Sequence, residues 1–186
     1  MSHPKNSIFY FDIILFPQGV SLAILRNKIF KQIHYMLTTY KNKYNLYDIG
    51  VTFPNYDEET NKLGNTIQIF SHSKQSLDKL DINKAFGFFT NYIWISNVKE
   101  KNSIKYVFGR RQFKINVFAL VRRCMKRHNI SYSEALDKYS DFKPPETKLS
   151  YIVLDSDTSK QKYKMFIERK EYNENYNFNT YGLIMK

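Results

Sequence analysis

Cysteine is almost absent from this chain of 186 residues, and its scarcity excludes two kinds of structure. Cys124 is the single cysteine, so neither an internal disulfide nor a metal site built on several thiolates can form, and a reducing compartment is favoured. The four histidines, at positions 3, 34, 72 and 128, are not spaced like metal ligands. We therefore expect no metal ion and no other cofactor.

Long apolar runs are also missing. No apolar stretch approaches the roughly 18 residues that a transmembrane helix needs. The opening residues, MSHPKNS, lack the apolar segment of a secretory signal peptide. These absences predict a cytoplasmic protein that does not span a membrane.

Acidic residues are missing from residues 101–133. The same segment holds nine basic residues, which are Lys101, Lys105, Arg110, Arg111, Lys114, Arg122, Arg123, Lys126 and Arg127. Five of the seven arginines in the chain lie between Arg110 and Arg127. Arginine grips a phosphate or a guanine edge with two parallel hydrogen bonds, which lysine cannot do. This segment therefore predicts contact with nucleic acid.

The charge of the whole chain points in the same direction. The formal net charge is +12 and the isoelectric point is near 9.6, which favours a polyanionic partner. That partner is either nucleic acid or an anionic membrane surface. The alternative is a basic protein without a dedicated partner, and the acid-free segment argues against it.

Hydrophobic residues make up 42% of the chain and aromatic residues 17%, which predicts a folded core. Apolar patterning predicts strands over residues 8–16, 49–53, 66–70 and 92–98, a helix over 22–40, and a short helix beginning at Ser73. This βαββαβ order is the ferredoxin-like motif. We expect an α+β protein whose first domain covers residues 1–100.

The second half, residues 101–186, is predicted to be a mixed domain that binds nucleic acid. It begins with an extended arm over residues 106–114 and continues with a helix over 116–127. A second helix is expected from a Ser133 cap to residue 139, and strands over 151–155, 163–167 and 178–184.

The predicted helix over residues 116–127 is amphipathic. Its apolar face carries Val117, Leu120, Val121 and Cys124, and its other faces carry Arg122, Arg123, Lys126 and Arg127. A solvated basic face is the usual meaning of such a run, but solvated runs usually include acids four residues away. Like charges on one helix repel each other, and a bound polyanion would remove that repulsion.

Three further parts of the sequence contain candidate functional residues. His34 lies at the edge of the apolar stripe of the first helix, and an imidazole suits general-base chemistry near neutral pH, although a lone histidine is more often structural. Ser156, Thr158 and Ser159 follow a strand, and their hydroxyls suit contacts with ribose or phosphate, although a hairpin turn is the commoner explanation. Tyr181 taken alone is a core aromatic.

Several short segments, taken in order, resemble the crRNA-maturation endoribonuclease of type I-F CRISPR systems. The resemblance rests on residues 49–54 (IGVTFP), 109–112 (GRRQ) and 121–128 (VRRCMKRH), and on 154–156 (LDS) and 181–183 (YGL). Each segment is short, but their shared order and spacing make the match specific. Residues 80–105 match poorly.

The resemblance implies roles for individual residues. His34 would be the general base, Ser156 would hold the ribose, and Tyr181 would orient the histidine. The RNA contacts would come from Arg110, Arg111, Gln112, Arg122, Arg123, Lys126, Arg127, Thr158 and Ser159, and from Tyr163 stacking beneath the terminal base pair. Asp155 and Asp157 flank Ser156, and a carboxylate near a scissile phosphate is unfavourable unless it points away.

The resemblance also implies a function. The protein would cleave CRISPR precursor RNA at the 3′ base of a repeat hairpin by metal-independent attack of the 2′-hydroxyl, and would stay bound to the hairpin within a surveillance complex with other subunits. One alternative is a catalytically inactive subunit that binds the crRNA hairpin. The other is an unrelated basic RNA-binding protein.

Overall fold

The computed structural model describes residues 7–113, 116–143, 146–156 and 161–185. Eight strands and five α-helices are found in these ranges. In chain order they are β1 (Ile8–Leu15), α1 (Leu22–Tyr44), β2 (Gly50–Thr52), β3 (Thr66–Ser71), α2 (Lys74–Asp78), α3 (Ile82–Phe86), β4 (Ile93–Ile95), β5 (Lys99–Lys101), β6 (Tyr106–Arg111), α4 (Val117–His128), α5 (Tyr132–Asp137), β7 (Tyr151–Asp155) and β8 (Lys162–Glu171). The predicted α+β class is confirmed.

The first sheet has the strand order β2-β3-β1-β4, and β5 pairs with the other half of β1. Every ladder in it is antiparallel, with Ile13 opposite Ile67 in β3 and opposite Ile95 in β4. Strand β1 is buried along most of its length because it lies in the centre of the sheet and is rich in branched and aromatic residues. From β1 to β4 the elements run β1, α1, β2, β3, α2, α3 and β4, and helix α3 was not predicted, so the ferredoxin-like order stays a prediction.

Helix α1 covers the core of this sheet. Ser21 caps its N-terminus by accepting a hydrogen bond from the backbone of Ile24, and Leu25, Ile29, Ile33 and Leu37 are buried along one stripe. The helix runs to Tyr44, beyond the predicted end at residue 40. It stops at Asn45, which adopts the left-handed conformation (φ 53°) and donates its N–H to the carbonyl of Lys41.

A second sheet has the order β6-β8-β7. Strand β7 docks on α1, because the side chain of Asn27 accepts a hydrogen bond from the backbone of Val153 at 3.1 Å. Ile152 and Leu154 enter the same hydrophobic core as Ile33. These contacts place the end of β7 next to α1, the helix that bears His34.

The chain divides into two compact units. One extends to Arg110 and resumes at Leu149, and the other is Arg111–Lys148. In the second unit, α4 and α5 pack around Val121, Cys124 and Ala135. Within the described residues, no helix is long and apolar enough to cross a membrane.

Three predicted elements need correction. Residues 178–184 form no strand but isolated bridges and a turn, because the side chain of Asn179 binds the backbone and Gly182 is left-handed. The predicted arm over residues 106–114 is strand β6 as far as Arg111, and this strand is paired in a sheet. Helix α5 is capped by Ser131 rather than Ser133, because Ser131 and Glu134 form a reciprocal capping box.

Candidate functional site

A cleft of about 200 Å³ lies in the first unit, between α1, the end of β7, the start of β8 and the C-terminal turn. It brings together four residues that the sequence singled out, which are His34, Ser156, Tyr163 and Tyr181. The remaining lining residues are Lys31, Leu154 and Asp155. Three segments far apart in the chain thus meet at one opening.

The imidazole of His34 has a fixed orientation. Its Nδ1 lies 2.9 Å from the carbonyl oxygen of Thr180. A carbonyl oxygen only accepts hydrogen bonds, so Nδ1 carries the proton and donates it. The proton on Nδ1 leaves the lone pair on Nε2, which is the arrangement that a neutral general base requires.

Tyr181 holds the same imidazole from its face. The two rings are 4.0 Å apart and inclined by 10°. The ring of Phe30 is also nearly parallel to that of Tyr181, and the two centroids are 6.3 Å apart. The Tyr181 hydroxyl is 3.0 Å from the hydroxyl of Tyr163, so the two tyrosines are joined at their tips. Tyr181 therefore restrains the imidazole by stacking.

The C-terminal turn that supplies both contacts is itself anchored. Asn179 Oδ1 accepts hydrogen bonds from the backbone N–H groups of Tyr181 (2.8 Å) and Leu183 (3.3 Å). Gly182 has φ +68°, and its carbonyl accepts a hydrogen bond from the backbone of Val51 at 2.8 Å. A Cβ at Gly182 would lie 2.3 Å from the Val51 side chain. Glycine is required here by both conformation and space.

Ser156 directly follows β7 at the edge of the cleft. Its backbone N–H donates to the carbonyl of Gln161 at 2.9 Å, which closes the loop after β7. The loop itself, with the predicted RNA contacts Thr158 and Ser159, and with Asp157, lies outside the described residues. Ser156 thus lines the same cleft as His34.

Lys31 is a site residue that the sequence reasoning missed. Its Nζ lies 3.9 Å from the carboxylate of Asp155, so the acid beside Ser156 is balanced by a cation. Lys31 precedes His34 by three positions on α1, which places both side chains on one helical face. That spacing was the available signal, but a single lysine on a helix is usually solvated.

The arginine-rich segment lies mainly in the second unit. Arg110 and Arg111 end β6, Gln112 follows them, and the guanidinium of Arg111 lies 6.0 Å from the ring of Phe113. On α4, the side chains of Arg122, Arg123, Lys126 and Arg127 are all exposed. The last two lie in the final turn, where cations are favoured by the helix dipole. The dipole does not account for Arg122 and Arg123.

Comparison with known proteins extends these observations. A family model described as CRISPR-associated protein (Cas_Csy4) matches residues 10–186. A curated relative, the CRISPR-associated endonuclease Cas6/Csy4 of Pseudomonas aeruginosa (strain UCBPP-PA14), is 28% identical over 181 residues, covering 94% of each chain. The family match includes α1, α4 and the C-terminal turn.

Proposed function

Because this chain belongs to the Cas_Csy4 family of CRISPR-associated proteins, we propose that it is an endoribonuclease that cleaves precursor CRISPR RNA at the 3′ base of a repeat hairpin. The observation that carries the proposal is the orientation of His34, whose Nε2 lone pair is set by the hydrogen bond to Thr180. Ser156 and Lys31 lie in the same cleft and supply a hydroxyl and a cation.

The reaction is a transesterification within the RNA. Nε2 of His34 takes the proton from the 2′-hydroxyl next to the scissile phosphate, and the 2′-oxygen attacks the phosphorus. The bond to the 5′-oxygen breaks, and that oxygen takes a proton from solvent. The products carry a 2′,3′-cyclic phosphate and a 5′-hydroxyl, and the scheme uses no metal ion. A positioned general base contributes about 10²–10⁴-fold to the rate.

Positioning supplies a further part of the rate. Ser156 hydrogen-bonds the ribose that carries the nucleophile, and Tyr163 stacks beneath the terminal base pair of the stem. Holding the reacting groups in line converts binding energy into reaction rate. The cation of Lys31 stabilises the negative charge that develops on the phosphoryl oxygens in the transition state.

The remaining predicted residues bind the hairpin. Arg110, Arg111 and Gln112 contact the base of the stem, and the four cations of α4 grip its phosphates. A-form RNA has a narrow major groove that opens at a helix end, so a short hairpin is the fitting ligand. The protein keeps its product, joins the other subunits of a type I-F surveillance complex, and acts in the cytoplasm.

Cleavage of a labelled repeat hairpin in EDTA tests this proposal. Wild type and His34→Ala are each given an all-ribose RNA and an RNA with a single 2′-deoxy at the scissile nucleotide. We expect cleavage only by the wild type and only of the all-ribose RNA, with similar hairpin affinity for both proteins. Tight binding without cleavage by the wild type would instead identify a structural crRNA-binding subunit. Equal binding of the hairpin and a random RNA would show that the protein does not recognise the hairpin, and would overturn the proposal.

A further inference from the structure

Helix α1 shares the unusual charge pattern of α4. Its 23 residues include five Lys or Arg side chains and no Asp or Glu. The first turn contains no acid, although the helix dipole favours one there. One face of α1 is committed to the hydrophobic core, so its cations lie on the faces that remain. The hairpin contacts proposed for α4 do not explain why α1 also lacks acidic residues.

A second cleft, of about 260 Å³, runs beside α1 in the same unit and is called here the α1 cleft. Helix α1 contributes residues at helical spacing from Gln32 to Tyr44, and the other wall comes from residues 79–85. Three of its lining residues are lysines, Lys43, Lys79 and Lys84. The single acid in the lining, Asp81, accepts a hydrogen bond from the backbone of Lys84 as the cap of α3.

Aromatic rings are interleaved with these lysines. The ammonium groups of Lys43 and Lys79 lie 5.2 Å and 4.9 Å from the centroid of the Tyr44 ring. Tyr35 lines the same cleft, and 36% of its surface is exposed. Grooves that combine cations with aromatic faces bind single-stranded nucleic acid, because the cations meet phosphates and the rings stack on bases.

Tyr35 connects the α1 cleft to the candidate site. Its ring centroid lies 5.9 Å from that of His34, and Lys31 of the site lies 5.5 Å from the same ring. From Gln32 to Tyr44, α1 rises by about 18 Å, at about 1.5 Å per residue. That distance matches roughly five stacked nucleotides, at about 3.4 Å each.

We infer that the α1 cleft binds the single-stranded RNA that continues on the 3′ side of the scissile phosphate. This inference rests on the proposed function, which places that phosphate beside His34 and therefore beside Tyr35. A protein segment is the competing occupant. Lysine is depleted in the cores of protein interfaces, and three lysines in one cleft favour a polyanion.

The test compares two RNAs that cannot be cleaved because they carry a 2′-deoxy at the scissile nucleotide. One ends at the base of the hairpin, and the other has a 3′ extension of about six nucleotides. Their affinities are measured at several salt concentrations for the wild type and for the triple variant Lys43→Ala, Lys79→Ala, Lys84→Ala. A matched control variant, Lys62→Ala, Lys74→Ala, Lys99→Ala, removes three exposed lysines elsewhere in the same unit.

For the wild type, we expect the extension to tighten binding and to steepen the log–log salt dependence by about 2, since each of three single-strand phosphate contacts adds roughly 0.7. The triple variant should lose both effects while binding the hairpin alone like the wild type. The control variant should keep both effects.

Three outcomes would overturn the inference. They are no gain from the 3′ extension, an equal gain from a 5′ extension, and an equal loss in the control variant. If the 3′ extension does not tighten RNA binding by the wild type, the α1 cleft would instead be assigned to a protein partner. Failure of the proposed function looks different, because the hairpin without an extension would then show no preference over random RNA.

Discussion

The carbonyl oxygen of Thr180 accepts a hydrogen bond from Nδ1 of His34 across 146 residues of sequence. The bond makes the tautomer of the candidate base depend on a turn near the C-terminus of the chain. That turn is held by Gly182, whose carbonyl binds the backbone of Val51. The chemistry proposed for α1 therefore depends on a glycine that is not among the proposed RNA contacts.

Substitution of Gly182 by alanine should slow cleavage without weakening RNA binding. The new Cβ would meet Val51 at 2.3 Å in a backbone conformation (φ +68°) that alanine rarely adopts. Displacing Thr180 and Tyr181 by about 1 Å should lower the single-turnover rate by about 100-fold. Overpacking should also lower the free energy of unfolding by about 1–3 kcal/mol.

Gly87→Ala is the matched control for this substitution. No atom lies within 4 Å of a Cβ at Gly87, and its φ of −55° suits alanine. This variant should cleave at the wild-type rate. If Gly182→Ala binds the hairpin normally and also cleaves at the wild-type rate, the turn does not set the orientation of His34.

Lys31 should contribute to the rate more than to affinity. In Lys31→Met the side chain keeps its length but loses the cation that is proposed to act on the scissile phosphate, and Asp155 loses its ion pair. We expect the single-turnover cleavage rate to fall by about 100-fold, as when one charge-stabilising group is removed from an active site. Hairpin affinity should change little, and Lys31→Arg should retain most of the rate.

The double variant Lys31→Met, Asp155→Asn separates two roles of this lysine. If Lys31 acts directly on the phosphate, removing the carboxylate as well should not restore the rate. Full recovery in the double variant would mean that Lys31 only neutralises Asp155. The two substitutions are expected to be non-additive because the side chains are in contact.

Local patterns predicted the elements that carry the site better than they predicted how those elements end. The apolar stripe from Leu25 to Leu37 indicated α1, and it is the buried face of that helix. Its end at Tyr44 was missed because the last turn is polar and is stopped by the conformation of Asn45. The false strand over residues 178–184 arose because its aromatic residues suit strands, whereas Asn179 and Gly182 impose a turn.

The composition of the site was less predictable than its presence. His34 and Tyr181 were expected at the site because of a family resemblance, but no local pattern indicates that their rings stack. Lys31 was missed because its partner, Asp155, is distant in sequence. Asp155 lies on β7, and β7 contacts α1 through the hydrogen bond that the backbone N–H of Val153 donates to Asn27. Such long-range pairings are set by tertiary docking, which local periodicity does not report.

Tyr172 should govern part of the alkaline stability of the first unit. Burial, with a smaller contribution from the charge of Glu174, raises the pKa of Tyr172 from its ordinary value near 10 to about 12. The neutral phenol is therefore favoured in the folded state, so its stabilisation is complete below about pH 10 and is lost as the pH rises to about 12.

Tyr172→Phe tests this pH dependence. Phenylalanine cannot ionise and keeps the edge contact with the ring of Phe70, so the fall in the urea midpoint between about pH 10 and 12 should become shallower. Loss of the hydrogen bond to His72 should lower stability at neutral pH by about 1 kcal/mol. An unchanged alkaline slope would show that Tyr172 ionises alike in the folded and unfolded states.

Arg122 and Arg123 should account for a measurable part of the salt dependence of hairpin binding. Both are exposed on α4. They lie before the last turn of the helix, so the helix dipole does not explain why cations are found at these positions. Replacing both with alanine should keep the helix folded, since alanine is the best helix former. We expect weaker hairpin binding and a log–log salt slope that is less steep by about 1 for each lost phosphate contact.

The control for the arginine pair is Lys138→Ala with Lys143→Ala, which removes two exposed cations from the same unit. If net charge alone attracts the RNA, both double variants should flatten the slope equally. If α4 makes the contacts, the control should keep the wild-type slope and only the arginine variant should change it. An unchanged slope in the arginine variant would remove this part of α4 from the interface, and the charge of the acid-free segment would then need another partner.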